Sequence, residues 1–247
     1  MIMVYGRQGF GRLKNNKSMY KNFSDKIYNL YNLKTFKKED AIVLGFIDDL
    51  KITNSKTNYL EVGSGLCRFP LIIKNRYKNF NLKCLEKNKD LVGFGIKNGL
   101  NVIVGDVIKM NFIDHEFGII HCSHVIEHLE YRNITDSLNE MFRILKPNGY
   151  LIIRSPLMHI GFYSDIDHIR PYPPEAILNY FNNNQQQKVG KHNVLEVVRW
   201  YRREASLYYN SESSFTKIIN LLFKLSWLIF GFPKSKPNGY VLVLKKI

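Results

Sequence analysis

No feature of this chain restricts its fold more than YLEVGSGLCRF, residues 59–69. A short apolar strand runs straight into Gly63-Ser64-Gly65, and a helical pattern opens at PLIIKNRY, 70–77. Glycines between a strand and a helix let the backbone take positive φ and come close to a ligand. In open α/β sheets such a turn lies at the carboxyl edge, where ligands bind. A lone Gly-x-Gly is weak, and the dinucleotide spacing G-x-G-x-x-G fails, because Arg68 or Phe69 falls where its last glycine belongs. The turn gains its force from the order of strands, helices and acids downstream of it.

Strand NLKCLE, helix KDLVGFGIKNG, strands NVIVGD and FGIIHCS, helix NITDSLNEMFRIL closed by KPNG, and strand YLIIRSP succeed one another up to residue 156. This alternation predicts an α/β domain, a parallel sheet covered by helices on both faces. Residues 18–50 read as a helical extension, and PNGYVLVLKKI at the end reads as a hairpin arm closing the sheet, its Pro-Asn-Gly forming the turn. NNNQQQ, 182–187, reads as a loop. Glu61, Glu86 and Asp106 close three successive strands, the first of them just ahead of the glycine turn. A carboxylate ending the second strand can accept both hydroxyls of a ribose, and one ending the third can receive an adenine amine. Together they outline a pocket for an adenosine-bearing ligand.

As an ordered set, YLEVGSGLC, CLEKN, VGDV, IIHCSHVIEHL and FRILKPNGYLIIRSP resemble the class I S-adenosylmethionine-dependent methyltransferases over about residues 58–156. The group they look most like spans ubiquinone-biosynthesis-type enzymes and small-molecule and glycan O-methyltransferases. The resemblance implies a Rossmann-like, seven-stranded sheet with its last strand antiparallel. It implies S-adenosylmethionine as cofactor, with Glu61, Gly63 and Gly65 in the cofactor loop, Glu86 on the ribose, Asp106 and Val107 at the adenine, and Ser123 beside the methionine part. Two positions depart from the family. Cys67 stands where a third glycine is usual, which is tolerable if its φ stays negative, and Gly118 stands where an acid is usual. The expected division is a helical extension or lid at 1–56 and a methyltransferase domain at 57–247, with a substrate-side insertion at 157–235.

CSHVIEHL, 122–129, spells H-x-x-E-H, a zinc-peptidase signature. On a helix His124, Glu127 and His128 would share one face. A strand end behind a glycine turn does not supply the long helix such a peptidase needs, so that reading is set aside. The main reading assigns no metal. A second reading places a divalent ion on His124, Glu127 and His128, completed by His168, because some relatives hold a metal at this point with E-x-x-E-H. A hydroxyl acceptor must lose a proton, which suits histidine. His168, in the segment after the strand ending at Pro156, is the first candidate base; Asp167 or Asp165 would orient it, and His128 and His159 come next.

The three cysteines have no metal-ligand spacing and read as reduced thiols, and MIMVYGRQGFGRLKNNKSMY lacks the apolar core of a secretory signal, so the expected location is cytoplasmic. Of the +15 net charge, little falls in residues 57–154, with 13 basic and 10 acidic residues, against 11 and 5 before and 12 and 6 after. The basic flanks suit an acidic substrate, an anionic membrane or nucleic acid, although no aromatic-basic RNA motif is legible. FTKIINLLFKLSWLIFGF, 215–232, is short for a membrane span and is interrupted by Lys217, Asn220 and Lys224. It suits a surface-lying helix with peripheral membrane contact, a substrate lid, or a core or dimer helix; the oligomeric state stays open. The leading expectation is O-methylation of a small molecule, a glycan sugar or a lipid-linked intermediate. Alternatives are an RNA methyltransferase with a metal-assisted site and a non-enzymatic S-adenosylmethionine-binding scaffold.

Overall fold

The computed structural model describes residues 17–50, 56–182, 195–211 and 213–247, with side chains of the first helix from residue 22 onward. Residues 1–16 of the amino-terminal segment read for a secretory signal and most of the NNNQQQ stretch lie outside the described residues. The chain divides into two compact units, Met1–Glu39 with Glu204–Lys236, and Asp40–Arg203 with Pro237–Ile247.

The larger unit is built on one seven-stranded sheet. In chain order its strands are β1 (Thr57–Val62), β2 (Phe80–Glu86), β3 (Val102–Val104), β4 (Phe117–Ser123), β5 (Leu145–Pro156), β6 (Leu195–Arg203) and β7 (Gly239–Lys246). They lie in the order β3-β2-β1-β4-β5-β7-β6. The first five run parallel, and β7 runs antiparallel to both β5 and β6. The expected Rossmann-like sheet of seven strands with an antiparallel last strand is therefore present. The chain winds outward from β1 to β3 and then returns to β1's other side with β4, so the switch of direction falls between β1 and β4. Ligands of doubly wound sheets bind at such a point.

Helices cover both faces because each buries an apolar stripe. On one side lie α2 (Arg68–Arg76), α3 (Lys89–Lys97) and the end of α1 (Lys17–Asp49), which presents Val43, Phe46 and Ile47 to β1, β4 and β5 residues. On the other lie α4 (Tyr131–Ile144) and α5 (Pro174–Phe181). In α4 the buried Ile134, Leu138, Met141 and Ile144 recur at helical spacing. Strands β1, β4 and β5 read as nearly continuous apolar runs because both of their faces are covered. The tail is not a tight hairpin. β6 and β7 do pair antiparallel, but α6 (Ser214–Phe230) intervenes between them in the chain.

One polar group is set deep in the α1–α2 face. Arg154 of β5 is 1 % exposed, and its guanidinium donates to Asp40 of α1 at 3.0 Å; Arg68 of α2 pairs with the same carboxylate. An ion buried this far depends on its partner, and removing one member of such a pair costs about 3–5 kcal/mol. Asp40→Ala is therefore expected to lose that much stability in urea denaturation. Adding Arg154→Met should recover most of it, since an apolar side chain of similar volume needs no counterion. A single variant as stable as the parent would show that Arg154 has another sufficient partner.

Candidate active site

The carboxyl ends of β1, β2, β3 and β4 meet at the switch point. Past β1 the backbone turns through Gly63 (φ +70°) and Gly65 (φ +51°), conformations that glycine adopts freely. The first glycine also has no room for a side chain: a Cβ there would lie 2.2 Å from Val125 Cγ2, just beyond β4. A Cβ on Gly65 would meet nothing within 4 Å, so that face of the loop is open.

Glu86 ties this loop to the end of β2. Its carboxylate accepts from the Gly65 amide at 2.8 Å and the Asn88 amide at 2.9 Å, one bond to each oxygen. A carboxylate has about four lone-pair positions, so two remain for ribose hydroxyls. Beyond β3, Asp106 accepts from the Ile108 amide and pairs with Lys87 at 2.7 Å. Partial burial works to raise its pKa, but the lysine and the amides outweigh that and hold the carboxyl below its usual range. Val107 is buried beside it. Arg143 and Glu140 of α4 fix the adjoining loop, binding the Met110 and Phe112 carbonyls and the Met110 amide. Ser123 ends β4, in register with Arg154 of β5. Two glycines at positive φ, an open loop face and a half-used carboxylate suit an adenosine-bearing donor. Gly63, Gly65, Glu86, Asp106, Val107 and Ser123 are the residues that would hold it.

Glu61 is placed differently. It is 2 % exposed and faces into the α1–α2 side, accepting from Tyr59 Oη at 3.0 Å and His121 Nδ1 at 2.9 Å. Its partner His121, wholly buried on β4, was not singled out in the sequence; the signal was a polar residue in each of two apolar strands, and only their register shows that they pair. Cys67 corrects another expectation. Its φ is +59°, not negative, so the cysteine holds the glycine-like conformation at a cost of about 1–2 kcal/mol. Its amide donates to the Ser64 carbonyl, and its side chain is packed with Cys84, Val92, Leu100 and Val102. Gly118 lies at the opposite end of β4 from the site, where a Cβ would crowd Thr57 Cγ2 at 3.2 Å.

The H-x-x-E-H stretch is not one helix face. His124 sits at φ +55°, and only Ile126–His128 form a single 3-10 turn. His124 Nδ1 instead donates to Glu127 at 3.0 Å. Glu127 is fully buried and also accepts from Ser155 Oγ at 3.1 Å. Burial pushes its pKa up, yet His124 more than offsets this and keeps the carboxyl below its ordinary range.

His128 and His168 do come together, ring centroids 4.9 Å apart. His128 Nδ1 donates to the Asp167 carbonyl at 2.9 Å, and His168 Nδ1 donates to the Phe162 carbonyl at 2.7 Å. A carbonyl only accepts, so each Nδ1 carries a proton and Nε2 is the ring nitrogen left to meet a ligand. Asp167 thus contributes its main chain to His128. The carboxylate near His168 is that of Asp165, 3.9 Å from Nε2. One ligand atom from each of Glu127, His128 and His168 lies within 4.8 Å of the others, and His124 is not in this set. His159 is half-buried, which lowers its pKa, and its Nδ1 accepts from the Gly161 amide. The segment carrying His168 is anchored where the Ile169 and Arg170 amides bond the Glu127 carbonyl.

Comparisons with known proteins agree with this fold. Residues 60–153 match the family described as Methyltransferase domain. Among solved structures, a SAM-dependent methyltransferase from Archaeoglobus fulgidus aligns at TM-score 0.56 and 22 % identity, covering 92 % of this chain and 99 % of that one. The YcgJ protein from Bacillus subtilis aligns at TM-score 0.55 and 14 % identity, covering 82 % and 97 %. The [4+2]-cyclase SpnF aligns at TM-score 0.52 and 12 % identity, covering 81 % and 80 %. No match was found among curated proteins. Residues 60–153 are thus similar to a methyltransferase domain, and the solved structures share the fold built around it. At these identities the structural likeness establishes the fold, and the acceptor must be argued from the site.

Proposed function

We propose that the protein transfers a methyl group to a hydroxyl of a small, largely apolar acceptor. The observation that carries this reading is the pair of Nε2 edges, His128 and His168, fixed beside a buried carboxylate in the segment beyond β5. The rim supports an apolar acceptor over a sugar. Met158, Ile160, Tyr163 and Ile166 of the same segment stand 58–95 % exposed, a cluster suited to hydrocarbon or aromatic rings.

S-adenosylmethionine supplies the electrophilic methyl group when bound. The chain's own work is alignment, exclusion of water and removal of one proton. The acceptor oxygen gives that proton to Nε2 of His168, and the imidazolium so formed is stabilised by Asp165. The Phe162 carbonyl keeps the ring from turning over.

Incubation with donor labelled with ¹³C in the methyl group, offered phenols, long-chain alcohols, free sugars and RNA in parallel, tests the assignment. Label is expected in the methyl ether of an apolar phenol or alcohol. Label confined to a sugar, to RNA or to nitrogen would refute it.

A second reading is favoured by Glu127. Two imidazoles and one carboxylate, each backed by a hydrogen bond to a neighbouring group, are a donor set for a first-row divalent ion such as Zn²⁺ or Mn²⁺. Such an ion would supply acidification of the bound hydroxyl, leaving the histidines as ligands. Calorimetric titration of the chelator-treated protein with Zn²⁺ separates the two. One equivalent bound by the parent and lost in His168→Ala supports a metal centre; no binding leaves the histidine as base.

A further inference from the structure

We infer that α6 is a docking face for an anionic lipid bilayer. The inference concerns the smaller unit and stands whether or not the acceptor assignment holds. α6 is amphipathic the wrong way round for a helix facing water. Phe215, Ile218, Leu222, Ile229 and Phe230 point outward, each 47–73 % exposed, while Asn220 and Lys224 are buried with Leu221 and Trp227. At 3.6 residues per turn, the first four of the outward residues fall within about 60° of one another, so they form a stripe.

The polar residues fix this orientation. Asn220 is locked by two bonds to the Tyr209 main chain, at 2.8 and 2.9 Å. The Lys224 ammonium lies 4.2 Å from the ring centre of Tyr28, 5.2 Å from that of Tyr208 and 5.4 Å from that of Tyr31, so the aromatic faces hold it in place of a carboxylate. Rotating α6 to hide its apolar stripe would break both anchors. A contiguous apolar patch of this kind marks an interaction surface.

Charge selects the occupant. Met1–Glu39 and Glu204–Lys236 carry 13 lysines and arginines against 4 acids. Two copies of so basic a unit repel each other, whereas a net basic charge on the unit that carries an exposed apolar stripe suits anionic headgroups over acyl chains. Among the described residues no helix is long and apolar enough to cross a membrane, so α6 is assigned a position in the plane of the interface.

Flotation of the full chain with phosphatidylglycerol–phosphatidylcholine vesicles, and with phosphatidylcholine alone, tests this. Binding is expected to the anionic vesicles, to fall in high salt, and to drop about tenfold or more in a Leu222→Asp, Ile229→Asp double variant. Far-ultraviolet circular dichroism and S-adenosylmethionine binding are measured on the same variant, to show that it folds and that the donor site persists. The inference is overturned if the parent floats with neither vesicle or equally with both. It is also overturned if the folded variant floats like the parent, or if light scattering reveals a parent dimer that the variant lacks.

Discussion

Replacing Glu86 with alanine weakens S-adenosylmethionine binding about a hundredfold in calorimetry. The carboxylate is half-buried at the end of β2, and its two oxygens already hold the Gly65 and Asn88 amides. Two lone-pair positions remain on it, beside a turn whose Gly65 face is open. Hydrogen bonds to a charged group are each worth about 1.5–3 kcal/mol, so losing two ribose hydroxyl contacts removes roughly 3 kcal/mol or more. That corresponds to about two orders of magnitude in affinity. Part of the loss comes from the turn itself, because the Gly65 amide no longer has its acceptor. Glu86→Gln separates the two contributions: it keeps the side-chain shape and one carbonyl acceptor, and binding should fall only about tenfold. Melting temperatures without donor should stay close to the parent's for Glu86→Gln. An alanine variant that binds within threefold of the parent would place the donor elsewhere on the sheet edge.

Much of this edge was legible in the sequence, for a physical reason. Strands buried on both faces read as apolar runs, and the carboxyl ends of such strands carry the residues that break the run: Gly63, Glu86, Asp106 and Ser123. Order along the chain was then enough to bring them together. Strand β6 was missed because it sits at the sheet edge, and its Leu195–Arg203 sequence alternates charges and exposed apolar residues in a pattern without a strong period.

Pairings set by topology were not legible at all. Asp40 and Arg154 are 114 residues apart, and Glu61 faces His121 only because β1 and β4 are neighbours in a specific register. The histidine stretch shows a third kind of failure. A helical spacing was visible in His124, Glu127 and His128, but His124 takes a left-handed backbone conformation that removes it from the turn. His168, forty residues from His128 in sequence, takes the place beside His128 that the spacing gave to His124.

His168→Ala is expected to lower the methyl-transfer rate constant by about 10²–10⁴, the range for losing a positioned general base. Donor affinity should change less than twofold, because His168 lies in the segment after β5 and makes no bond to the Gly63–Gly65 turn or to Glu86. His128→Ala should be milder, since the Phe162 carbonyl still orients His168 in its absence. If His128→Ala lowers the rate constant further than His168→Ala does, the roles of the two rings are exchanged. If neither variant falls more than threefold, proton removal is not the task of this cluster, and the buried Glu127 with its two imidazoles has to be read as scaffolding for the segment that Ile169 and Arg170 tie to it.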